Sequence, residues 1–208
     1  MICNMHFETE QEAFWAGTFG NEYVDRNAGA LLLASKLAIW TNIARKFRGL
    51  ETCFEFGTNV GLNLQALGML FPKLSMNGVE INQKAAELCS KLPGVEVFNE
   101  SALTFEIEKK YDLTFTSGVL IHIEPEKLPN MYEKLYRFSK KYVMVNEYYN
   151  ATPVEVSYRG HEGKLFKRDF AGEIMDMFPD LKLVDYGFGY HRDNNFDFGD
   201  ETWFLMEK

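Results

Sequence analysis

The sequence has no apolar run approaching about 18 residues, so no segment of it reads as a membrane span. Cysteine is scarce: Cys3, Cys53 and Cys89 are odd in number, widely scattered and form no C-x-x-C. That pattern speaks against a disulfide framework and a zinc site, and it leads to the expectation of a reducing compartment. Positive charge is also short, with 22 Lys and Arg against 30 Asp and Glu and a formal net charge of -8. Duplex nucleic acid is therefore not an expected partner, because phosphate binding needs a clustered cationic excess. The basic cluster Arg45, Lys46 and Arg48 reads as the last turn of a helix, where cations complement the macrodipole. The start, MICNMHFETEQEAFW, carries acidic residues where a signal peptide would need a positive stretch and an apolar run, so the protein is expected to be cytosolic.

What is present is a core. With 208 residues, 46% hydrophobic and 15% aromatic, the chain can bury one substantial interior, and one domain is expected over 1–208. Residues 1–48 read as an N-terminal helical region: Leu31, Leu32, Ala34, Leu37, Ala38 and Ile43 recur at helical spacing after an aromatic-rich stretch, and two helices are expected over 10–48. Residues 49–208 read as an α/β core. Short apolar runs at Thr52–Phe56, Met76–Ile81, Val95–Phe98 and Asp112–Thr116 predict strands, with helices over Leu62–Leu70 and Gln83–Leu92 between the first three. A helix at about Pro125–Ser139, a strand at Tyr142–Tyr148, a helix at Arg168–Met177 and strands near Leu181–Gly187 and Thr202–Glu207 follow. Helical crossovers require parallel neighbours, so the sheet is expected to be seven-stranded, doubly wound and mostly parallel. The last two strands, joined by the non-helical stretch 188–200, are expected to form an antiparallel edge pair.

The first strand runs into Glu55-Phe56-Gly57-Thr58-Asn59-Val60-Gly61-Leu62-Asn63. Glycines at a strand-to-helix turn let backbone approach a ligand, and in a doubly wound sheet that turn lies where ligands bind. The dinucleotide fingerprint needs a third glycine, and here Leu62 or Asn63 stands in its place. Glu55 would repel a pyrophosphate but suits an ammonium group, which favours S-adenosylmethionine (SAM) over NAD. The second strand ends in Glu80-Ile81, with the carboxylate nineteen residues past Gly61, and a carboxylate can take two ribose hydroxyls. The third exits into Asn99-Glu100-Ser101-Ala102, and the fourth into Ser117-Gly118-Val119-Leu120-Ile121-His122.

These stations, in this order, resemble the class I SAM-dependent methyltransferases, with Asn59 in place of the middle glycine of the first motif and Ser101 where an acid is usual. The resemblance implies that Glu55, Gly57, Thr58, Asn59, Gly61, Asn63, Glu80, Ile81, Ser101, Ala102, Ser117 and Gly118 surround SAM, with S-adenosylhomocysteine (SAH) as product. The segment Phe14-Trp15-Ala16-Gly17-Thr18-Phe19-Gly20-Asn21-Glu22-Tyr23-Val24-Asp25-Arg26-Asn27 is similar to the N-terminal signature of pseudaminic acid biosynthesis-associated methylases. That likeness implies a small-molecule acceptor related to nonulosonic-acid sugars or their nucleotide-linked forms.

Trp15, Phe19 and Tyr23, at i, i+4 and i+8, share a helical face and either pack on the core or close over the pocket as a lid, with Arg26 and Asn27 offered to polar substrate groups. Tyr149, Arg159, His161 and Arg192 lie in polar loops expected at the mouth, where the two arginines would suit an anionic sugar. A hydroxyl acceptor would want a base, and His122, Glu147, His161 and His191 are the candidates, His122 having a packing role as its alternative. Asp193, Asp197 and Asp200 lack calcium-loop spacing and read as a turn-rich connection, so no metal is expected. Competing functional readings are methylation of another small metabolite, a catalytically silent SAM-binding module, and an NAD-linked oxidoreductase.

Overall fold

The computed structural model describes residues 7–27 and 29–208; Cys3 lies outside them, and Cys53 and Cys89 are buried free thiols. The chain forms three N-terminal helices, α1 (Glu10–Ala16), α2 (Thr18–Arg26) and α3 (Ala30–Ala44). It then alternates β1 (Thr52–Phe56), α4 (Leu62–Leu70), β2 (Ser75–Val79), α5 (Gln83–Cys89), β3 (Val95–Phe98) and β4 (Tyr111–Ser117). Two short 3-10 turns lead into α6 (Leu128–Phe138), followed by β5 (Ser139–Glu147), the short strands β6 (Val154–Glu155) and β7 (Phe166–Lys167), α7 (Phe170–Met177), β8 (Lys182–Gly189) and β9 (Glu201–Glu207).

Seven strands make one sheet in the order β3-β2-β1-β4-β5-β9-β8, parallel from β3 to β5 and antiparallel where β9 meets β5 and β8. This is the doubly wound, mostly parallel architecture expected, with one refinement. The last strand inserts between β5 and β8, so β8 alone forms that edge. The order reverses between β1 and β4, which makes a crevice at the carboxyl ends of those strands.

Both faces of the sheet are covered. Phe54, Phe56, Val143 and Val145 pack with Leu128, Leu135 and Phe138 of α6 and Ile174 of α7. Cys53, Leu113, Phe115 and Met144 pack on the other side with Trp40 and Ile43 of α3 and Leu64 and Leu67 of α4. Burial on both faces is why β5 carries the continuous apolar run Tyr142-Val143-Met144-Val145 and why consecutive residues of β1 are buried rather than alternately exposed.

Two expectations change. Among the described residues the N-terminal region holds three helices rather than two, because α1 ends at Gly17, α2 ends at its cap Asn27, and α3 starts anew from Gly29. The stretch 148–167 is not all loop: β6 and β7 pair antiparallel as a small separate hairpin. Among the described residues no helix is long and apolar enough to cross a membrane.

Candidate active site

The turn from β1 into α4 carries three positive φ angles within five residues, at Gly57 (73°), Asn59 (47°) and Gly61 (83°). Glycine is needed at the outer two, since a Cβ on Gly57 would stand 2.5 Å from Val119 Cγ2 and one on Gly61 would stand 2.5 Å from Cys89 Sγ. Asparagine tolerates the left-handed region at the middle position. The turn is pinned to β2: Gly57 N–H donates to the Val79 carbonyl (2.8 Å), and Asn59 N–H donates to Glu80 Oε2 (2.7 Å).

Glu55 is fully buried beneath this turn. Trp40 Nε1 donates to Asn63 Oδ1 (3.1 Å), and Asn63 Nδ2 donates to Glu55 Oε1 (2.8 Å), so an indole and an amide orient the carboxyl. Glu55 Oε2 has no protein partner. Burial pushes its pKa up to about 8 against the opposing pull of Asn63 and Lys36. Glu80, at the exit of β2, also accepts from Asn82 N–H through Oε1 (2.7 Å), and burial raises its pKa despite these backbone donors.

The exit of β4 is held from beneath. Both carboxylate oxygens of Glu147 lie within bonding reach of Val119 N–H (3.1 and 3.0 Å), and Oε2 also accepts from Ile121 N–H (3.4 Å). Burial lifts the Glu147 pKa to about 7. The side chain thereby clamps the loop after Ser117 instead of lining a cavity. His122 is buried as well, and its Nδ1 lies 2.6 Å from the Lys164 carbonyl. A carbonyl only accepts, so Nδ1 carries the hydrogen and Nε2 keeps a lone pair. Burial lowers this imidazole's pKa to about 4, leaving it neutral at physiological pH.

Two cavities meet at the switch point. The first is a cavity of about 150 Å³ that opens to solvent. Gly57, Asn59, Glu80, Ile81, Ser101, Ala102, Ser117, Gly118 and His122 line it, and Glu12, Trp15 and Tyr23 cover it from the N-terminal helices. The second is more polar, lined by Asn27, Lys36, Thr58, Asn63, Asp197 and Glu201, and shares Tyr23, Gly57, Asn59, Ser117 and Gly118 with the first. Lys36 Nζ pairs with Glu201 at 3.2 Å. Burial works to lower the Lys36 pKa, but Glu201 and, more weakly, Tyr23 and Glu55 hold it raised. Asn146 Nδ2 donates both to Glu201 Oε2 and to Ser117 Oγ (3.0 Å), which ties this ion pair to the shared wall.

Of the residues expected at the acceptor side, Trp15, Tyr23 and Asn27 line one or both of these two cavities, and the others lie outside the two. Although Gly17 breaks the helix, the Trp15 ring lies 5.4 Å from Phe19 and 5.2 Å from Tyr23, so the aromatic cluster forms across the break. Phe19 sits behind it, stacked on Phe14 at 4.1 Å and edge-on to His161 at 5.6 Å. Arg26 bonds Glu22 at 3.9 Å and covers Phe19, Arg159 lies over Tyr158, Tyr149 lies against Phe204, and Arg192 is exposed. His191 pairs with Asp200 at 2.7 Å on an exposed loop. Glu55 and Gly61 support the turn from below rather than line it.

Sequence reasoning missed Glu12, Lys36, Asn82, Asn146 and Glu201. Asn82 Nδ2 donates to the Trp15 carbonyl (3.1 Å) and to Asn21 Oδ1 (3.0 Å), fastening α2 over the end of β2. Lys36 did leave a signal, as a lone cation inside the apolar run of α3. Glu201 left none.

No protein-family model matches the sequence, and no curated protein matches it. Solved structures do. Magnesium protoporphyrin IX methyltransferase from Synechocystis PCC 6803 with bound SAH superposes with a TM-score of 0.69 over 96% of this chain and 100% of its own, at 12% identity. Coclaurine N-methyltransferase bound to N-methylheliamine and SAH gives 0.73 over 99% and 84%, at 11% identity. A Burkholderia thailandensis 1,6-didemethyltoxoflavin-N1-methyltransferase with S-adenosylhomocysteine gives 0.68 over 95% and 86%, at 9% identity. At such identities the likeness is one of fold: the Rossmann-like fold of SAM-dependent methyltransferases, carried in these neighbours by enzymes whose named acceptors differ.

Proposed function

We propose that this protein is a SAM-dependent methyltransferase acting on a small polar acceptor. The observation that carries the reading is the convergence, at one switch point, of a glycine turn over a buried acid, a strand-end carboxylate facing the cavity, and a second polar cavity sharing its wall. Two buried polar atoms on residues lining the first cavity, Asn59 Oδ1 and Trp15 Nε1, lack protein partners, as does Glu55 Oε2 beneath the turn. Buried polar groups are nearly always satisfied, so these fit a ligand with both donors and acceptors.

When bound, SAM supplies an electrophilic methyl on a sulfonium centre. Glu80 holds the ribose hydroxyls through the lone pairs its backbone donors leave free. Gly57 and Ser117 border the amino-acid tail, whose ammonium group favours the negative charge of Glu55. The second cavity receives the acceptor, and Tyr23, Ser117 and Gly118 form the wall where donor and acceptor meet. Methyl transfer is an in-line displacement, so fixing this alignment supplies much of the acceleration. His122 lines the first cavity, on the cofactor's side of that wall, where Nε2 offers a hydrogen-bond acceptor; with a pKa near 4 it takes up no second proton at neutral pH.

The narrower reading, an acceptor of the nonulosonic-acid type, draws on the Phe14–Asn27 resemblance and on the mixed charges of Lys36, Asp197 and Glu201 in the second cavity. Calorimetric titration of the full chain with SAM, SAH and NAD tests the cofactor. Binding of the first two and not the third is expected, and NAD binding alone, or none, overturns the assignment. Methyl-labelled SAM offered with nonulosonic-acid sugars and with other small metabolites then tests the acceptor; label entering only non-sugar compounds removes the sugar reading. SAM binding without turnover on any acceptor would favour a silent binding module.

A further inference from the structure

The carboxyl ends of the strands lie in the order β3, β2, β1, β4, so the cavity residues they carry follow the same line: Ser101, Glu80, Gly57, Ser117. At about 4.8 Å per strand this line spans roughly 14 Å. If Glu80 takes the ribose and the turn beside Ser117 takes the amino-acid tail, the nucleobase falls beyond β2, at the exit of β3. Position 101 offers only a hydroxyl there. The carboxylate comes instead from the N-terminal region, across a sequence separation of 89 residues.

Glu12 is 6% exposed and lines the cavity. It closes a capping box with Thr9, and its Oε2 accepts from the backbone N–H groups of Glu8 (2.5 Å) and Thr9 (2.9 Å). Its Oε1 accepts from the Ser101 hydroxyl. The carboxyl is thus fixed from two sides and keeps a lone pair on Oε1, since a carboxylate offers about four acceptor positions. Ser101 is itself turned toward Glu12, with its Oγ also accepting from Leu103 N–H (3.1 Å).

We propose that Glu12 is a specificity-determining residue of the cofactor pocket, accepting a hydrogen bond from the exocyclic amine of adenine and so selecting a 6-aminopurine over a 6-oxopurine. The assignment rests on reading the cavity as an adenosyl site. A 6-oxo group in the same place would set an acceptor against an acceptor, and a site built to bond one hydrogen rejects the analogue that lacks it. The N-terminal helix is then part of the cofactor site itself.

The test is titration of the full chain with SAH and with S-inosylhomocysteine, its 6-oxo counterpart, for the wild type and for Glu12→Gln, whose side chain still serves a capping box. The wild type should prefer SAH by roughly 10- to 100-fold, the range of one charge-assisted hydrogen bond. Glu12→Gln should bring the two ligands within about threefold, because its amide can donate to the 6-oxo group. Discrimination that survives the substitution, or a wild type that binds both equally, overturns the role of Glu12 and leaves the cofactor assignment standing; a wild type that binds neither removes the cofactor assignment. Should Glu12→Gln fail to fold, Glu12→Asp keeps the charge and shortens the reach, and it must weaken SAH while sparing S-inosylhomocysteine. An unchanged ratio there counts against the proposal.

Discussion

Replacing Glu80 by alanine isolates the proposed ribose contact. In the free protein each carboxylate oxygen already accepts one backbone N–H, from Asn59 and from Asn82, both at 2.7 Å. The substitution therefore acts twice. It leaves two N–H groups without an acceptor, a loss of about 1–3 kcal/mol of stability for each one that stays buried. It also removes the acceptor for the two ribose hydroxyls, about 1.5–3 kcal/mol of binding, which corresponds to roughly a 10- to 150-fold rise in the Kd for SAH. Calorimetry with SAH and with its 2′-deoxy analogue separates the two effects. Loosening of the turn weakens both ligands alike, whereas a lost hydroxyl contact weakens SAH more than the analogue, and that difference is a coupling energy. Urea melts report the stability change independently. A folded Glu80→Ala protein with a Kd for SAH within twofold of wild type, or with equal losses for both ligands, would refute the placement of the ribose.

Gly57→Val places a β-branched residue at a φ of 73° with its Cβ 2.5 Å from Val119 Cγ2, on a loop that Glu147 holds in place. Loss of SAH binding and destabilisation by at least about 2 kcal/mol are expected in calorimetry and urea melts, and wild-type affinity would contradict the turn geometry. Stability should fall as pH rises from about 6.5 to 8. Glu147 and Glu55 have folded pKa values near 7 and 8, above the unfolded carboxyl value, so the native state binds more protons than the unfolded one in that window. His122, depressed to about 4, acts in the opposite sense only below its unfolded value near 6.5. Thermal melts across this range should show the decline, and Glu55→Gln should flatten its upper part; a flat wild-type profile would contradict the burial assigned to both carboxyls. Nitrogen NMR of His122 should report a neutral ring with Nδ1 protonated from pH 5.5 to 8. An imidazolium at pH 6.5 would contradict its environment.

Much of the sheet was legible because its signals are local. Thr52–Phe56, Leu62–Leu70 and Val95–Phe98 form the elements that their apolar runs and flanking glycines predict, with the same bounds. The other core elements differ mainly by a few residues at their ends, where helix fraying and strand pairing depend on neighbours. The insertion of β9 beside β5 could not be read, because nothing in either strand's pattern says which partner its edge will meet. The third N-terminal helix was missed for a similar reason: Gly17 and Gly20 lie three residues apart, yet only the first breaks the chain, while the second is buried against Trp15 and Asn82.

By itself the sequence determined the kind of ligand crevice: an acid before a glycine turn, a carboxylate at the next strand end, and the order of stations along a doubly wound sheet. Each depends on residues adjacent in the chain or on the parallel topology that helical crossovers require. Only the tertiary structure decided which side chains complete the site. Glu12 meets Ser101 across 89 positions, and Lys36 meets Glu201 across 165, pairings that no periodicity encodes. The same packing turned Glu147 into a clamp on the loop after β4 and drew His191 to Asp200 at the surface, because a side chain's role follows from what folding places against it.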